Sequence, residues 1–251
     1  MQQAYRVLRV VAEAQTIRIV LMLKPNELML KELCTACSSL NTESSSGIKA
    51  VVLDFKETSG EQKETVASDN ISRACAAVQA VEAPVLAVVR DTLSAPASKL
   101  AQAADFILIA HEAVLTLQAL DNRDGHKADG AGISLVNTRS TVDTVDQEIR
   151  TCTGAQALRL RLATWSVLAR DIDTEMERIL TMLREKSAAA LRHAKTSVRL
   201  AAQHPPEDAA SRLEALKRVN EFYLTQVMQT ADAREGLHSF LEKRKPQWKN
   251  R

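Results

Sequence analysis

The sequence predicts an α/β fold built on a parallel sheet, and three stretches carry that prediction. Residues 85–89 and 106–110 are short apolar runs typical of buried strands, and an Ala-rich helical pattern over 96–104 lies between them. Strand, helix and strand in this order form a βαβ unit, whose strands lie parallel because the connection crosses the sheet. The apolar run 48–55 predicts one more buried strand.

The N-terminal part predicts a hairpin followed by a helix. Residues 5–11 and 17–23 are rich in Leu and β-branched residues and are predicted to be its strands, with a turn at 13–15. Pro25 ends the second strand, and the apolar spacing over 27–40 indicates a helix. These elements precede the first buried strand.

A second helix is predicted over 70–81, with Asp69 or Asn70 as its N-cap. Its apolar stripe should face the sheet because helical residues three and four apart share one side. The stripe consists of Ile71, Ala74, Val78 and Val81.

The C-terminal half predicts mainly helices. Residues 153–167 are interpreted as an amphipathic packing helix, 175–195 as one long helix and 206–228 as another. The apolar run that ends at Leu117 predicts a short strand, whereas residues 133–149 fit no pattern. We predict a core domain over 1–190 and a helical C-terminal region over 191–251.

Composition narrows the class of protein. Of the 251 residues, 45% are apolar and 25% are charged, which is ordinary for a globular protein. The net charge of +2 does not by itself indicate a nucleic-acid partner. Neither a secretory signal nor a membrane-spanning apolar run is expected, so the predicted location is the cytoplasm.

Two groups of residues raise the question of a metal or redox site. Cys34 and Cys37 form a C-x-x-C pair, which suits either a redox or metal pair or two small packing residues. Packing is favoured because no second such pair and no suitably spaced His accompanies it. Four polar residues lie in a Gly-containing segment and could be metal ligands; they are Asp121, Asp124, His126 and Asp129. The segment has no glutamate at the position that a calcium loop requires. A solvated loop is therefore favoured, and no metal is predicted.

Two groups of motifs stand in the order and spacing of a known family. The central one comprises Ala83-Pro84-Val85, Ala104-Asp105 and Glu112-Ala113. The C-terminal one comprises Thr230, Asp232, Glu235, Gly236, Phe240, Lys243, Arg244 and Pro246, where Asp232 and Glu235 suggest a capping-box-like helix start. In both, the chain resembles the crotonase (enoyl-CoA hydratase/isomerase) superfamily.

The resemblance implies a particular architecture and assembly. The fold would be a crotonase-like spiral of ββα units with a helical C-terminal region that forms trimers or stacked hexamers. Apolar residues predicted on the C-terminal helices are compatible with burial against such a partner; they include Leu213, Leu216, Val219, Phe222 and Tyr223.

The family's catalytic positions carry other residues here. Catalytic members use a Gly-rich helix start to supply one backbone N–H to the oxyanion hole, and the corresponding residue is Pro96, which has no N–H. The two family carboxylates correspond to Lys99 and Ala119. A one-residue slip would put Ala95 or Ala97 at the donor position without restoring either carboxylate.

Other acidic residues are weaker candidates for catalysis. Asp91 and Glu112 would serve only if the fold turned them inward, and a solvated surface position is favoured for both. Lys99 suits either a cation in the acyl pocket or a side chain that extends to solvent, and the second is favoured.

Coenzyme A recognition is implied only in part. Lys24 and Lys243 occupy basic positions that approach the CoA phosphates in the family, although ordinary surface lysines fit equally well. Met228 stands where an aromatic residue would stack near the adenine. The loop 56–69, which should hold the adenine and supply the second oxyanion donor, has one glycine, Gly60, and lacks the family motif.

Two hypotheses follow. The first is a catalytically degenerate homologue that acts as a structural or regulatory partner of an active paralogue or of an acyl-processing enzyme of fatty acid or polyketide metabolism. Such a homologue could still bind an acyl-CoA or acyl-carrier thioester. The second is an active hydratase, isomerase, hydrolase or decarboxylase that uses non-standard residues. No other cofactor is predicted.

Overall fold

A computed structural model describes residues 5–22, 24–41, 47–56, 66–118, 149–202 and 209–250. The strands are β1 (Leu8–Glu13), β2 (Thr16–Leu21), β3 (Ala50–Phe55), β4 (Val85–Val89), β5 (Phe106–Ala110), β6 (Val114–Gln118), β7 (Ile149–Thr153) and β8 (Trp165–Val167). The helices are α1 (Glu27–Ser39), α2 (Ser68–Ala80), α3 (Ala95–Gln102), α4 (Gly154–Arg159), α5 (Ile172–Arg184), α6 (Ala188–Ala202), α7 (Ala209–Phe222) and α8 (Ala231–Leu241).

The main sheet has six strands in the order β1-β2-β3-β4-β5-β8. Only β1 pairs antiparallel, with β2, and the other neighbours are parallel. Strands β6 and β7 form a separate antiparallel pair. The predicted α/β fold with a mainly parallel sheet is therefore confirmed.

The core lies around β3 and β4, in which every residue is buried. Apart from Asp54, the residues of these strands are apolar, because both faces of each strand are covered by other elements. Helix α2 buries the stripe predicted for it, namely Ile71, Ala74, Val78 and the following Val81. Helix α1 turns Met29, Leu30 and Leu33 inward, whereas Leu28 is exposed.

Two predictions about helix boundaries in this part of the chain were wrong. Helix α2 begins at Ser68 after Ala67, and no side chain caps it, so neither Asp69 nor Asn70 is the N-cap. The predicted packing helix over 153–167 ends at Arg159. The same stretch also contains β8, which pairs with the end of β5.

The predicted helix over 175–195 is also two helices. It breaks at 185–187 because Ser187 starts α6, where its Oγ accepts from the N–H of Ala190 at 3.1 Å. The predicted boundary between the core domain and the C-terminal region, between residues 190 and 191, lies within α6. The division of the chain into these two parts stays a prediction. Within the described residues, no helix is long and apolar enough to cross a membrane.

Gly154 marks a close approach between α4 and β5. A Cβ atom at this position would lie 2.0 Å from the carbonyl oxygen of Ala110. Thr153 caps α4 by accepting from the N–H of Gln156, whose side chain in turn accepts from the N–H of Thr153. The Thr-Gly pair thus begins a helix directly against the backbone at the end of β5.

Candidate functional site

The start of α3 is the position at which the family resemblance places an oxyanion donor. Ser94 precedes the helix, Ala95 is its first residue and Pro96 its second, and the N–H of Ser98 donates to the carbonyl of Ser94 at 2.8 Å. Proline fits there because the first N–H groups of a helix lack partners within the helix. At that position the backbone offers no hydrogen to a ligand.

The two neighbours of Pro96 differ in accessibility. Ala97 is fully buried, so its N–H does not face solvent. Ala95 and Pro96 are half-buried. Of the two residues that a one-residue slip would bring to the donor position, only Ala95 lies where an external ligand could approach it.

Hydrogen bonds hold the start of α3 against β6. The N–H of Leu93 donates to the carbonyl of Val114 at 2.8 Å, and the Thr116 hydroxyl donates to the carbonyl of Leu93 at 2.8 Å. The fully buried Ser98 hydroxyl accepts from the N–H of Thr116 at 3.0 Å. Sequence reasoning missed Ser98 and Thr116, because nothing in their spacing shows that they meet.

Where the structure describes them, the residue predicted at a carboxylate position and the other acidic candidates lie at the surface. Lys99 is exposed on α3, and its carbonyl lies 3.6 Å from the Cys75 sulfur. Asp91 and Glu112 are exposed as well. Ala119 lies outside the described residues, as do Asp121, Asp124, His126, Asp129 and Gly60.

Lys24 and Lys243, the predicted phosphate contacts, occupy different kinds of site. Lys24 is half-buried just before α1, whereas Lys243 is exposed after α8 and has a left-handed φ of 53°. The N–H groups of Lys243 and Arg244 donate to the carbonyls of Phe240 and Ser239, at 3.2 and 3.0 Å. This pattern is a Schellman motif, in which glycine usually takes the left-handed position.

A charged cluster lies beside the carboxyl ends of β3 and β4. The fully buried Asp54 accepts from Arg18 at 2.7 Å and from Arg90 at 3.0 Å, and Lys56 lies 4.0 Å away. Arg90 also pairs with Asp173 of α5, and this hydrogen bond lowers the pKa of Asp173. The cluster ties two strand ends to α5, directly before the segments that begin at Lys56 and Asp91.

A second ion pair lies at the opposite, amino ends of the strands. The Nζ atom of Lys195 lies 2.6 Å from Asp105 and 3.0 Å from the carbonyl of Ala83. Asp105 also accepts from the N–H of Val85 at 2.7 Å. Burial lowers the pKa of Lys195, and the hydrogen bond with Asp105 opposes that shift. The pair joins α6 to the starts of β4 and β5.

The capping-box-like helix start predicted for Asp232 and Glu235 was wrong. Thr230 caps α8 by accepting from the N–H of Ala233 at 3.1 Å. Asp232 is buried and instead accepts from the N–H groups of Lys249 and Asn250, at 2.7 and 2.9 Å, and from the Ser187 hydroxyl. The motif therefore fastens the C-terminal tail to the start of α6.

Glu235 holds the same tail from the next turn of α8. It pairs with Arg244 at 2.5 Å and accepts from the N–H of Gln247 at 2.8 Å. The hydrogen bond from Arg244 lowers the pKa of Glu235 to about 2.

The cysteine pair occupies helix α1. Cys37 is buried and Cys34 half-buried, and burial raises the pKa of the Cys37 thiol to about 12. A thiol is nucleophilic and binds metals as its thiolate, so this raised pKa fits a packing residue. In the described part of the chain, no three His, Cys, Asp or Glu side chains are grouped so that they could hold a metal ion.

Comparisons with known proteins agree with this architecture. The family model described as enoyl-CoA hydratase/isomerase matches residues 26–251. None of the curated proteins matches the chain in sequence. The sheet, the helices around it and the C-terminal motif define a crotonase-type fold. The chain belongs to the enoyl-CoA hydratase/isomerase family.

Solved structures show the same fold at low sequence identity. An enoyl-CoA hydratase from Bacillus anthracis has a TM-score of 0.69 at 18% identity, over 98% of this chain and 100% of that one. An enoyl-CoA hydratase from Mycobacterium smegmatis has 0.68 at 20%, over 97% and 99%. An enoyl-CoA hydratase/isomerase from Mycobacterium paratuberculosis has 0.71 at 15%, over 99% and 100%.

Proposed function

We propose that this chain is a catalytically degenerate member of its family that acts as a structural or regulatory partner. The observation that carries the proposal is Pro96 at the second position of α3. The family resemblance places an oxyanion donor at this residue, and proline has no hydrogen on its backbone nitrogen.

Catalytic magnitudes explain why this substitution weighs so heavily. Removing one oxyanion donor typically lowers the rate about 100- to 1000-fold. Positioned acids and bases contribute about 100- to 10,000-fold more. The family's two carboxylate positions correspond to Lys99 and Ala119, and Lys99 is an exposed cation. Losing these contributions together would remove most of a hydratase's rate enhancement by the family's usual route.

An active enzyme with non-standard residues is the second candidate, and Ala95 is the observation that favours it. Ala95 is half-buried, is the first residue of α3 and retains an N–H. A shift of the ligand by one residue would let this group donate to a thioester carbonyl. The enzyme would still need an acid or base outside the two usual positions.

Thioester binding is the further part of the proposal. The ligand would be an acyl-CoA or an acyl-carrier thioester, with Lys24 and Lys243 as contacts to its phosphates. An ammonium group on a flexible stem can pair with a phosphate as a point charge. Binding without turnover would suit a subunit that senses acyl thioesters or presents them to an active partner.

Assembly through the C-terminal helices is proposed on the basis of their exposed apolar side chains. Large apolar surfaces on a soluble protein often mark contacts with other chains. We propose trimers, which could stack as hexamers, or mixed assemblies with an active paralogue, in the cytoplasm. The exposed side chains include Leu213, Leu216, Tyr223, Leu224, Leu237, Phe240 and Leu241.

The deciding experiment pairs a calorimetric titration with butyryl-CoA and a hydratase assay on crotonyl-CoA. We expect binding without turnover, and weaker binding by K24A and K243A. The control K245A removes another exposed lysine of the tail and should bind as the wild type does. Turnover at the rate of an ordinary hydratase would overturn the degenerate assignment and favour the second candidate. Absence of binding would overturn the thioester part alone.

A further inference from the structure

A cavity of about 320 Å³ lies at the amino ends of β4 and β5, between the sheet and helices α5 and α6. It is at the opposite ends of the strands from the carboxyl-end cluster around Asp54. Its walls are largely apolar; those from the sheet side are Pro84 and Phe106, and those from the helices are Leu183, Leu191 and Val198. Because Val198 is 69% exposed, one side of the cavity is open to solvent.

The size and lining of the cavity suit a small amphipathic molecule. Ligand pockets typically begin at about 300 Å³ and combine apolar walls with a few polar groups. At about 30 Å³ for each water-sized group, this cavity has room for about ten non-hydrogen atoms. A compact hydrocarbon chain would cover the apolar walls and remove them from water.

The charges around the cavity favour an anionic end on that molecule. Lys195 and Asp105 line the cavity but pair with each other at 2.6 Å, so their charges cancel. Arg199 stands one helical turn beyond Lys195, also in the lining. Among the described residues, the guanidinium of Arg199 takes part in no ion pair or hydrogen bond. The cavity therefore carries one uncompensated positive charge from these three residues.

We propose that this cavity binds a monocarboxylate with a short hydrocarbon tail. The carboxylate accepts two parallel hydrogen bonds from the guanidinium of Arg199, which suits the planar geometry of both groups. The tail contacts Leu191, Leu183 and Phe106. This site goes beyond the proposed function, because it lies away from the start of α3 and requires neither coenzyme A nor catalysis.

The experiment is a calorimetric titration of the full chain with octanoate, which has about ten non-hydrogen atoms as the cavity volume requires. The uncharged probe 1-octanol has a tail of the same length. We expect R199M to weaken octanoate binding about 10- to 100-fold, the range of a hydrogen bond to a charged group, and to leave 1-octanol binding unchanged. The control R212M removes an exposed arginine of α7 and should change neither.

A second variant tests the cavity itself. A194F places an aromatic ring in the lining and should abolish binding of both probes, while circular dichroism and the melting temperature verify the fold. The proposal is overturned if the folded wild type does not bind octanoate, or if R199M binds it as tightly. It is also overturned if folded A194F binds octanoate as tightly as the wild type. A changed sedimentation coefficient in that variant would indicate instead that another copy of the chain covers this face.

Competition separates this site from the thioester site. Excess coenzyme A should leave octanoate binding unchanged. Competition between them would place octanoate at the thioester site and overturn the present inference, whereas the hydratase assay would still decide the proposed function.

Discussion

The C-terminal motif and the start of α3 differ in how their residues compare with the family pattern. By the sequence resemblance, the C-terminal motif matches that pattern, whereas the start of α3 does not. In the motif, each acidic residue has specific partners, such as Asp232 with the tail N–H groups and Glu235 with Arg244. At the start of α3, Pro96 and Lys99 are the residues that the resemblance aligns with the family's oxyanion donor and one of its carboxylates, and they are half-buried and exposed, respectively. The residues of the C-terminal motif thus make contacts that hold the fold, whereas Pro96 and Lys99 lie nearer the surface.

This comparison predicts that substitutions at residues whose contacts hold the fold affect the free energy of unfolding, and that a substitution at an exposed position such as Lys99 does not. The largest effect is expected for G154A, because the new Cβ atom would lie 2.0 Å from the carbonyl oxygen of Ala110. Relieving the overlap requires the backbone to shift, so we expect a loss of about 3 kcal/mol in the free energy of unfolding. Urea denaturation followed by circular dichroism measures it.

Gly236 supplies the matched control for that substitution. A Cβ atom there would come no closer than 3.7 Å to the Trp248 ring. Because alanine is the better helix former, G236A should stabilise α8 by about 0.5 to 1 kcal/mol. Equal effects of the two alanine substitutions would contradict the assignment of Gly154 as a packing glycine.

Next in size is K195M, which removes the cation shared by Asp105 and the Ala83 carbonyl. Breaking a buried ion pair costs about 3 to 5 kcal/mol, and the 26% exposure of the Asp105 side chain reduces the expected loss to about 2 kcal/mol. K99M, the same change at an exposed lysine, should alter the free energy of unfolding by less than about 0.5 kcal/mol. Similar losses of unfolding free energy in K195M and K99M would contradict the expectation that only the paired lysine stabilises the fold.

A smaller effect, of opposite sign, is expected at Lys243. Its φ of 53° is strained for a residue with a side chain, so K243G should increase the free energy of unfolding by about 1 kcal/mol. K243A retains a Cβ atom and should show no such gain. If K243G and K243A prove equally stable, backbone strain is absent at this position.

The smallest effect concerns the protonation of Glu235. Its pKa is lowered from 4.5 to about 2, chiefly by the hydrogen bond from Arg244. A depressed carboxyl pKa contributes stability that is fully present above 4.5 and lost as the pH falls towards 2. Carbon-13 NMR titration should show this low pKa, and R244M should return it towards 4.5. An unchanged pKa in R244M would exclude the ion pair as the cause.

Several elements could be predicted because their pattern is local. The buried strands β3, β4 and β5 are continuous apolar runs, and the α2 stripe has helical spacing. The three-residue β8 was missed because it is too short to show a period, and pairing with β5 makes it a strand. The break before α6 was missed because no Gly or Pro marks it. It is held by the Ser187 cap and by the Trp248 indole, which donates to the carbonyl of Glu185.

Some features of the candidate site could likewise be predicted from the sequence, and others could not. That Pro96 offers no hydrogen follows from its covalent structure and needed only the sequence. That Ala97 is buried while Ala95 remains half-buried depends on how α3 packs, and the sequence does not show it. The N–H groups that donate to Asp232 could not be predicted either, because those tail residues are 17 and 18 positions away along the chain.

The sequence by itself determined the fold class and the family, because each rests on local pattern and on motifs that the sequence displays directly. Only the tertiary structure decided which side chains meet. It pairs Lys195 with Asp105 and Asp54 with two arginines, and it forms the cavity beside Arg199. Such contacts join residues far apart in the chain, and their geometry exists only once the sheet and helices have packed.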